Sequence, residues 1–101
     1  VVAWATPIYY YEMSGQMKTL IDRMNAMYRM DYQFRDVYLL TTAAEDEPET
    51  PQRAEMGLTG WIDCYPKSRL AETLFCGGVD EARAIAGNAK LQEAYKLGEQ
   101  V

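Results

Sequence analysis

Apolar and polar positions along the chain follow two spacings, which predict three strands and three helices. Val1–Ala5, Val37–Thr41 and Leu70–Phe75 are short runs rich in apolar residues, as expected of strands covered on both faces. Each run precedes a segment whose apolar residues recur every three or four positions, as on one face of a helix. The resulting β-α-β-α-β-α order predicts right-handed crossovers and a parallel sheet.

Capping residues mark where the predicted helices begin. Ser14 is a candidate N-cap for the first helix, whose apolar face comprises Met17, Leu20, Ile21, Met24 and Tyr28. Thr50 and Pro51 predict the start of the second helix, with Thr50 as its N-cap, and Pro66 ends it. Asn88 is the predicted N-cap of the last helix.

An aromatic segment joins the first strand to the first helix. Pro7 is expected to end the strand, so that Ile8 and the three tyrosines Tyr9–Tyr11 lie in a loop. A loop of this kind lies at the carboxyl ends of the strands, where open α/β folds bind ligands. Thr42 and Ala43 follow the second strand and are expected at the same edge.

Composition narrows the range of functions. The 101 residues carry a formal net charge of −5 and are 49% hydrophobic, which fits one small globular domain. An acidic chain without a basic cluster argues against binding to nucleic acid or to an anionic membrane. The sequence contains no apolar run of about 20 residues, the length that a membrane span requires. No segment resembles a signal peptide.

The chemistry-bearing residues are few. The chain has no histidine, which excludes Ser-His and Cys-His nucleophilic catalysis and removes the commonest transition-metal ligand. Cys64 and Cys76 lack metal-ligand spacing. They are interpreted as reduced, structural thiols of a cytoplasmic protein, and a redox-active or intermolecular pair is the alternative.

The segment Ala5–Arg23, ATPIYYYEMSGQMKTLIDR, closely resembles the central motif of the flavodoxin-like NADPH-dependent FMN reductases. That family includes the iron–sulfur flavoproteins and the multimeric flavodoxins. The shared pattern is a small residue, Pro, Val or Ile, Tyr and an aromatic residue, then Met-Ser-Gly-Gln, Lys and a closing Asp-Arg. Leu39–Ala44, Leu74–Asp80 and Ile85–Leu91 are similar in type to the family's fourth strand, its fifth strand and its last helix.

The resemblance implies an α/β fold, a flavodoxin-like three-layer sandwich with a parallel sheet. Residues 1–101 are then expected to be the second half of that domain, strands three to five with their helices. Val1 lies inside a predicted strand, and the half with the phosphate-binding loop is expected to be absent. The third strand, Val1–Ala5, would leave an apolar edge exposed.

The resemblance also implies an NAD(P)H-dependent reductase of the flavin or quinone type, with FMN as cofactor and NAD(P)H as co-substrate. The flavin itself carries the redox chemistry, so no acid–base catalyst is expected. Flavin-ring contacts are expected from the segment Pro7–Tyr10 and from the residues beside it. The candidate site residues are Pro7, Ile8, Tyr9, Tyr10, Met13, Thr42 and Ala43.

Several alternatives stay open. The tyrosines could cap the sheet or fill an interface, Met13 could support the start of the helix, and the turn at Thr42 and Ala43 could be an ordinary turn of small residues. Four carboxylates, Glu45, Asp46, Glu47 and Glu49, are interpreted as a solvated face rather than a metal site. Lys18 and Asp22 lie one helical turn apart, which favours a surface ion pair over attraction of the NADPH phosphate.

The function itself has two further alternatives. One is an electron-transfer flavoprotein that reduces no substrate of its own. The other is a non-catalytic fragment that self-associates through Val1–Ala5, which predicts a homo-oligomer. The partners expected of the reductase are a nicotinamide nucleotide and a small-molecule electron acceptor.

Overall fold

A four-stranded sheet forms the centre of the computed structural model, which describes residues 1–101. The strands are β1 (Val2–Tyr9), β2 (Glu12–Met13), β3 (Asp36–Thr42) and β4 (Arg69–Cys76), in the spatial order β2-β1-β3-β4. The strands β1, β3 and β4 are parallel, and β2 is antiparallel to β1. This mixed α/β sheet confirms the predicted fold class and is consistent with a flavodoxin-like fold.

Three helices connect and follow the parallel strands. They are α1 (Gly15–Arg23), which continues into a 3-10 turn at Met24–Met27, α2 (Gln52–Asp63) and α3 (Ala89–Glu99). The predicted caps of α1 and α3 are confirmed. The Ser14 side chain accepts a hydrogen bond from the Met17 amide at 3.2 Å, and the Asn88 side chain accepts one from the Lys90 amide at 2.9 Å.

The predicted end of the first strand at Pro7 is wrong. Strand β1 continues through Pro7 and Ile8 to Tyr9, then turns back as β2, so that Ile8 lies opposite Met13 and Tyr9 opposite Glu12. Before Ile8, β1 has a neighbour on one side only. Proline is tolerated on such an edge strand because a ladder hydrogen bond is needed on only one side. The sheet therefore has four strands rather than the three expected.

The core lies on one face of the sheet. Side chains of β1 alternate, with Trp4, Thr6 and Ile8 buried under α1 and α2. Trp4 meets Trp61 of α2 edge to face, with ring centroids 5.5 Å apart. The main buried cluster comprises Trp4, Met17, Ile21, Val37, Leu39, Leu58, Trp61, Ile62 and Tyr65. These contacts hold the carboxyl ends of β1 and β3 in fixed register.

The opposite face of the sheet is thinly covered. Only Leu97 of α3 is buried. Between α3 and the ends of the parallel strands lies a largely apolar cavity of about 370 Å³. We call it the helix cavity, and its lining includes Pro7, Thr42, Cys76 and Leu91.

Candidate functional site

Three connections meet at the carboxyl edge of the parallel strands. They are the β1–β2 turn at Tyr10–Tyr11, the β3–α2 connection at 43–51, and the β4–α3 connection at 77–88. The Ala43 amide donates to the Cys76 carbonyl at 3.2 Å, and the Val79 amide donates to the Ala43 carbonyl at 2.8 Å. These two bonds fix the start of the β3–α2 connection beside the end of β4.

The β1–β2 turn has an unusual backbone. Tyr10 and Tyr11 have φ angles of 50° and 67°. A two-residue hairpin turn of type I′ needs positive φ at both central positions, which normally selects Asn and Gly. Two bulky aromatic residues there carry a steric cost of roughly 1–2 kcal/mol each. Such strain is concentrated at functional sites, where surrounding contacts keep it in place.

A side-chain contact ties this turn to the β3–α2 connection. The Tyr11 hydroxyl donates a hydrogen bond to Glu45 Oε1 at 2.9 Å. The Arg53 guanidinium lies 5.8 Å from the centroid of the Tyr11 ring. The hydrogen bond to Glu45, and then the charge of that carboxylate, raise the pKa of the Tyr11 phenol above its ordinary value. The phenol therefore stays a donor to Glu45 through the neutral pH range.

Several backbone amides at this edge have no partner within the protein. The N–H groups of Tyr10 and Tyr11 donate to no carbonyl or side chain, and the same is true of Ala44 and Glu45. Exposed amide N–H groups of this kind can donate hydrogen bonds to the oxygens or ring nitrogens of a ligand. The Ala43 amide is already used in its bond to Cys76, so among the two alanines only Ala44 offers a donor.

The β1–β2 turn and the β3–α2 connection enclose a cavity of about 220 Å³, which we call the hairpin cavity. It is lined by Ile8, Tyr10, Tyr11, Ala43, Ala44, Glu45 and Thr50. Pockets that hold a complete small molecule usually measure about 300–1,000 Å³. The hairpin cavity therefore suits one edge of a ring system, with the rest of the ligand outside it.

The candidate residues divide into three groups. Ile8, Tyr10 and Ala43 line the hairpin cavity, whereas Pro7 and Thr42 line the helix cavity on the other face of the sheet. Tyr9 is 62% exposed and lines neither cavity. Met13 packs against both buried clusters. Pro7, Ile8 and Tyr9 are strand residues, so the loop expected from Pro7 to Tyr10 is reduced to Tyr10 and Tyr11.

Four further residues of the hairpin cavity were not among the candidates: Tyr11, Ala44, Glu45 and Thr50. Tyr11 and Glu45 form the contact between its two walls. Thr50 was expected to cap α2, but its side chain makes no capping bond, and Pro51 occupies the cap position instead. Thr50 is 2% exposed, and its hydroxyl has no hydrogen-bond partner. The hairpin cavity therefore has a buried polar group in its wall that is left unpaired.

The remaining ionisable groups form no second site. The Lys18–Asp22 pair lies on the surface of α1, as its spacing predicts. No group of three or more Cys, Asp or Glu side chains is placed to hold a metal ion. Cys64 is exposed and Cys76 is buried, and they are not joined. No helix has both the length and the apolar character needed to cross a membrane.

A family model described as NADPH-dependent FMN reductase matches residues 1–65, well over half of the 101 residues. The chain belongs to the NADPH-dependent FMN reductase family. The resemblance of Ala5–Arg23 to that family is thereby confirmed. The matched residues run from β1 to just beyond α2, so they include both walls of the hairpin cavity. This places the chain among flavin-dependent oxidoreductases that use NADPH and FMN. No curated protein and no solved structure matches the chain.

Proposed function

We propose that the protein binds FMN at the carboxyl edge of its parallel strands, with one edge of the isoalloxazine ring in the hairpin cavity. The observation that carries this proposal is the unpaired set of amides around that cavity, held there by a strained turn. Family membership supplies the identity of the ligand. The size of the cavity suits an edge of a fused ring rather than a whole nucleotide.

Each wall of the cavity has a distinct task. The amides of Tyr10, Ala44 and Glu45 donate to the polar pyrimidine edge of the ring, where reduction builds negative charge. The Tyr10 ring, 97% exposed, is available to stack on a flat face. Such aromatic pairing contributes about 0.5–1.5 kcal/mol beyond area burial. Ile8 and Ala43 supply the apolar floor.

The other candidate residues act from further away. Pro7 lies within β1 and Thr42 is the last residue of β3, and both line the helix cavity. Met13 supports the turn through its core packing, and Tyr9 is the last residue of β1 before the turn. Bound FMN would accept a hydride from the nicotinamide nucleotide and pass electrons to an acceptor. The protein residues orient the ring and supply no proton-transfer group.

We propose five further assignments for the protein. They are NAD(P)H as the reductant, a quinone-type or free-flavin acceptor, a cytoplasmic location, a homo-oligomeric assembly and the identity of residues 1–101 as the second half of a flavodoxin-like domain. Steady-state oxidation of NADPH with quinone, ferric and flavin acceptors distinguishes a reductase from an electron carrier that has no substrate of its own. Turnover with any of them supports the reductase, and reduction of bound FMN without turnover supports the carrier.

The test of the proposed function is anaerobic reduction of FMN in the presence of the purified protein. FMN is first titrated with protein, and its fluorescence and visible absorption are recorded. We expect both spectra to change with saturation, and added NADPH to bleach the bound flavin faster than free FMN. Unchanged spectra across the titration would contradict the proposal.

A further inference from the structure

The helix cavity lies on the face of the sheet opposite the main core, and it shares no lining residue with the hairpin cavity. Its volume of about 370 Å³ falls within the range of about 300–1,000 Å³ that holds a complete small molecule. The hairpin cavity, at about 220 Å³, holds only part of one. The helix cavity is therefore large enough to be a second binding site, separate from the proposed flavin site.

Strand alternation determines which side chains form the floor of the helix cavity. Thr6 and Thr41 are buried on the core face, so their neighbours along β1 and β3 point to the opposite face. The strand register places the floor residues in two rows across the sheet, Ala5–Leu40–Leu74 and Pro7–Thr42–Cys76. Neighbouring strands lie about 4.8 Å apart, so each row spans about 10 Å. A floor of this width suits a flat ring system of two fused rings.

The polar groups of the helix cavity gather at one end. The row nearer the carboxyl edge contains Thr42 and Cys76, and Lys90 lies in the first turn of α3, which starts at that edge. The Thr42 hydroxyl has no hydrogen-bond partner within the protein, and it is open to solvent. The opposite end and the roof are apolar, with Leu91 and Ala94 of α3 above the floor. A matching ligand has an apolar body and one polar head.

Lys90 indicates the charge of that head, because it is the one charged residue that lines the helix cavity. Its ammonium group donates to Glu93 Oε2 at 2.6 Å, in a pair whose side chains are 41% and 50% exposed. Exposed pairs of this kind contribute little to stability and are readily exchanged. A ligand carboxylate at the mouth of the cavity can therefore share the ammonium group with Glu93.

We propose that the helix cavity binds a small aromatic carboxylic acid. The ring lies on the floor beneath Leu91, and the carboxylate accepts hydrogen bonds from the Thr42 hydroxyl and the Lys90 ammonium group. The site goes beyond the proposed function and does not depend on it, since none of its residues lines the hairpin cavity.

The experiment titrates the protein with 2-naphthoate and with its uncharged analogue 2-naphthylmethanol, followed by calorimetry. Lys90→Met removes the ammonium group and keeps the stem of the side chain. We expect it to raise Kd for 2-naphthoate about three- to tenfold and to leave Kd for the alcohol unchanged. Glu93→Gln should lower Kd for 2-naphthoate, because it removes the competing carboxylate. Lys96→Met is the control, since Lys96 is on the same helix but does not line the cavity, and it should change neither Kd.

A second pair of variants tests where the naphthalene ring binds. Ala94→Phe fills the cavity from α3 and should weaken both compounds at least tenfold, whereas Ala89→Phe, at an exposed position outside the lining, should weaken neither. Thermal unfolding confirms that both variants are folded.

Three outcomes would overturn the proposal. One is a parent protein that binds neither compound. Another is an equal loss of both compounds in Lys90→Met, since the charge would then have no part in recognition. The third is an affinity that falls as the protein concentration rises, because a second copy would then cover the cavity. FMN titration of the same sample tests the proposed function separately: binding of 2-naphthoate without binding of FMN supports this site and contradicts the flavin site.

Discussion

Tyr11 and Glu45 show how one hydrogen bond joins two loops that are distant in sequence. Tyr11 belongs to the β1–β2 turn and Glu45 to the β3–α2 connection, and the two side chains meet at 2.9 Å. Arg53 lies near the Tyr11 ring and opposes the carboxylate's effect on the phenol. The walls of the hairpin cavity are therefore held together by a contact whose strength depends on the charge state of both partners.

Replacing Glu45 by glutamine should lower the pKa of Tyr11 toward its ordinary value of about 10. Glutamine can still accept the hydrogen bond, but it lacks the negative charge that disfavours the phenolate. NMR titration of ring-labelled tyrosine measures this pKa, with Tyr11→Phe to assign the signal. Glu93→Gln, which alters the Lys90–Glu93 pair on α3, should leave it unchanged. An unchanged Tyr11 pKa in Glu45→Gln would contradict the contact.

Because the pKa of Tyr11 is raised, the free energy of unfolding should depend on pH in the alkaline range. A group whose pKa is higher in the folded protein keeps its proton longer there than in the unfolded chain. The contribution of the Tyr11–Glu45 contact is therefore complete below about pH 10 and is lost as the pH rises through the folded-state pKa. The loss should be smaller in Glu45→Gln, which chemical denaturation at a series of alkaline pH values would measure.

Gly77 is required where two connections approach most closely. A Cβ atom at Gly77 would overlap the backbone and carboxylate of Asp46 and lie 2.6 Å from the Glu45 carbonyl oxygen. Gly77→Ala should cost about 1–3 kcal/mol of unfolding free energy, as overpacking usually does. Gly60→Ala is the control, because nothing lies within 4 Å of its Cβ position. In helix α2 that change should stabilise by up to about 1 kcal/mol. If urea unfolding showed the same change in unfolding free energy for Gly77→Ala and Gly60→Ala, the close approach at Gly77 would not be what requires glycine there.

At the scale of elements, the β1–β2 hairpin holds an exposed aromatic ring at a position whose backbone conformation is strained, which lowers the stability of the hairpin. Tyr10→Asn places a residue that tolerates positive φ at a position where tyrosine is strained. We expect the free energy of unfolding to rise by about 0.5–1 kcal/mol and flavin affinity to fall, because the stacking ring is lost. Urea unfolding and FMN titration measure the two effects.

Arg83 provides the control for Tyr10, since it is another exposed residue with positive φ, 68°, away from the hairpin. Arg83→Asn should also stabilise, with flavin affinity unchanged. If Tyr10→Asn bound FMN as tightly as the parent, the Tyr10 ring would have no part in the site.

The elements that periodicity predicts are those that bury one face in the core. The apolar runs at β1, β3 and β4 and the apolar faces of α1 and α2 indicate their secondary structure because burial determines their side-chain pattern. Strand β2 has two residues, too few for a period, and Tyr10-Tyr11 is not a turn signal in sequence.

The candidate site was predictable only where it coincides with strand ends. Ile8 and Ala43 follow from the position of their strands, because the carboxyl ends of parallel strands share one edge. Glu45 lies in an acidic run that composition alone interprets as solvated, and its contact with Tyr11 spans 34 positions. Thr50 has the sequence signature of a cap. Their roles depend on tertiary contacts that local patterns do not encode.

At the scale of the whole molecule, the sheet has two open edges of different character. The outer edge of β4 carries Arg69 and Glu72, which are exposed and discourage pairing with another strand. The outer edge of β1 has no charged residue before the hairpin and is unpaired up to Pro7. An uncharged open edge is a template for a further strand.

We predict that the protein self-associates through the β1 edge. Ala3→Lys adds a charge there and should shift the protein toward the monomer. Ala71→Lys, at an exposed position on the opposite edge strand, should leave the assembly unchanged. Multi-angle light scattering across a dilution series measures the mass. A folded parent protein that is monomeric at all concentrations would contradict the prediction.

The proposed flavin site lies where the β1–β2 turn meets the β3–α2 connection. The most direct measurement is an amide NMR titration of the isotope-labelled protein with FMN. We expect saturable shifts concentrated at 8–13 and 43–50, the two walls of the hairpin cavity. Shifts concentrated at α3 and the helix cavity, or no shifts at millimolar FMN, would contradict it.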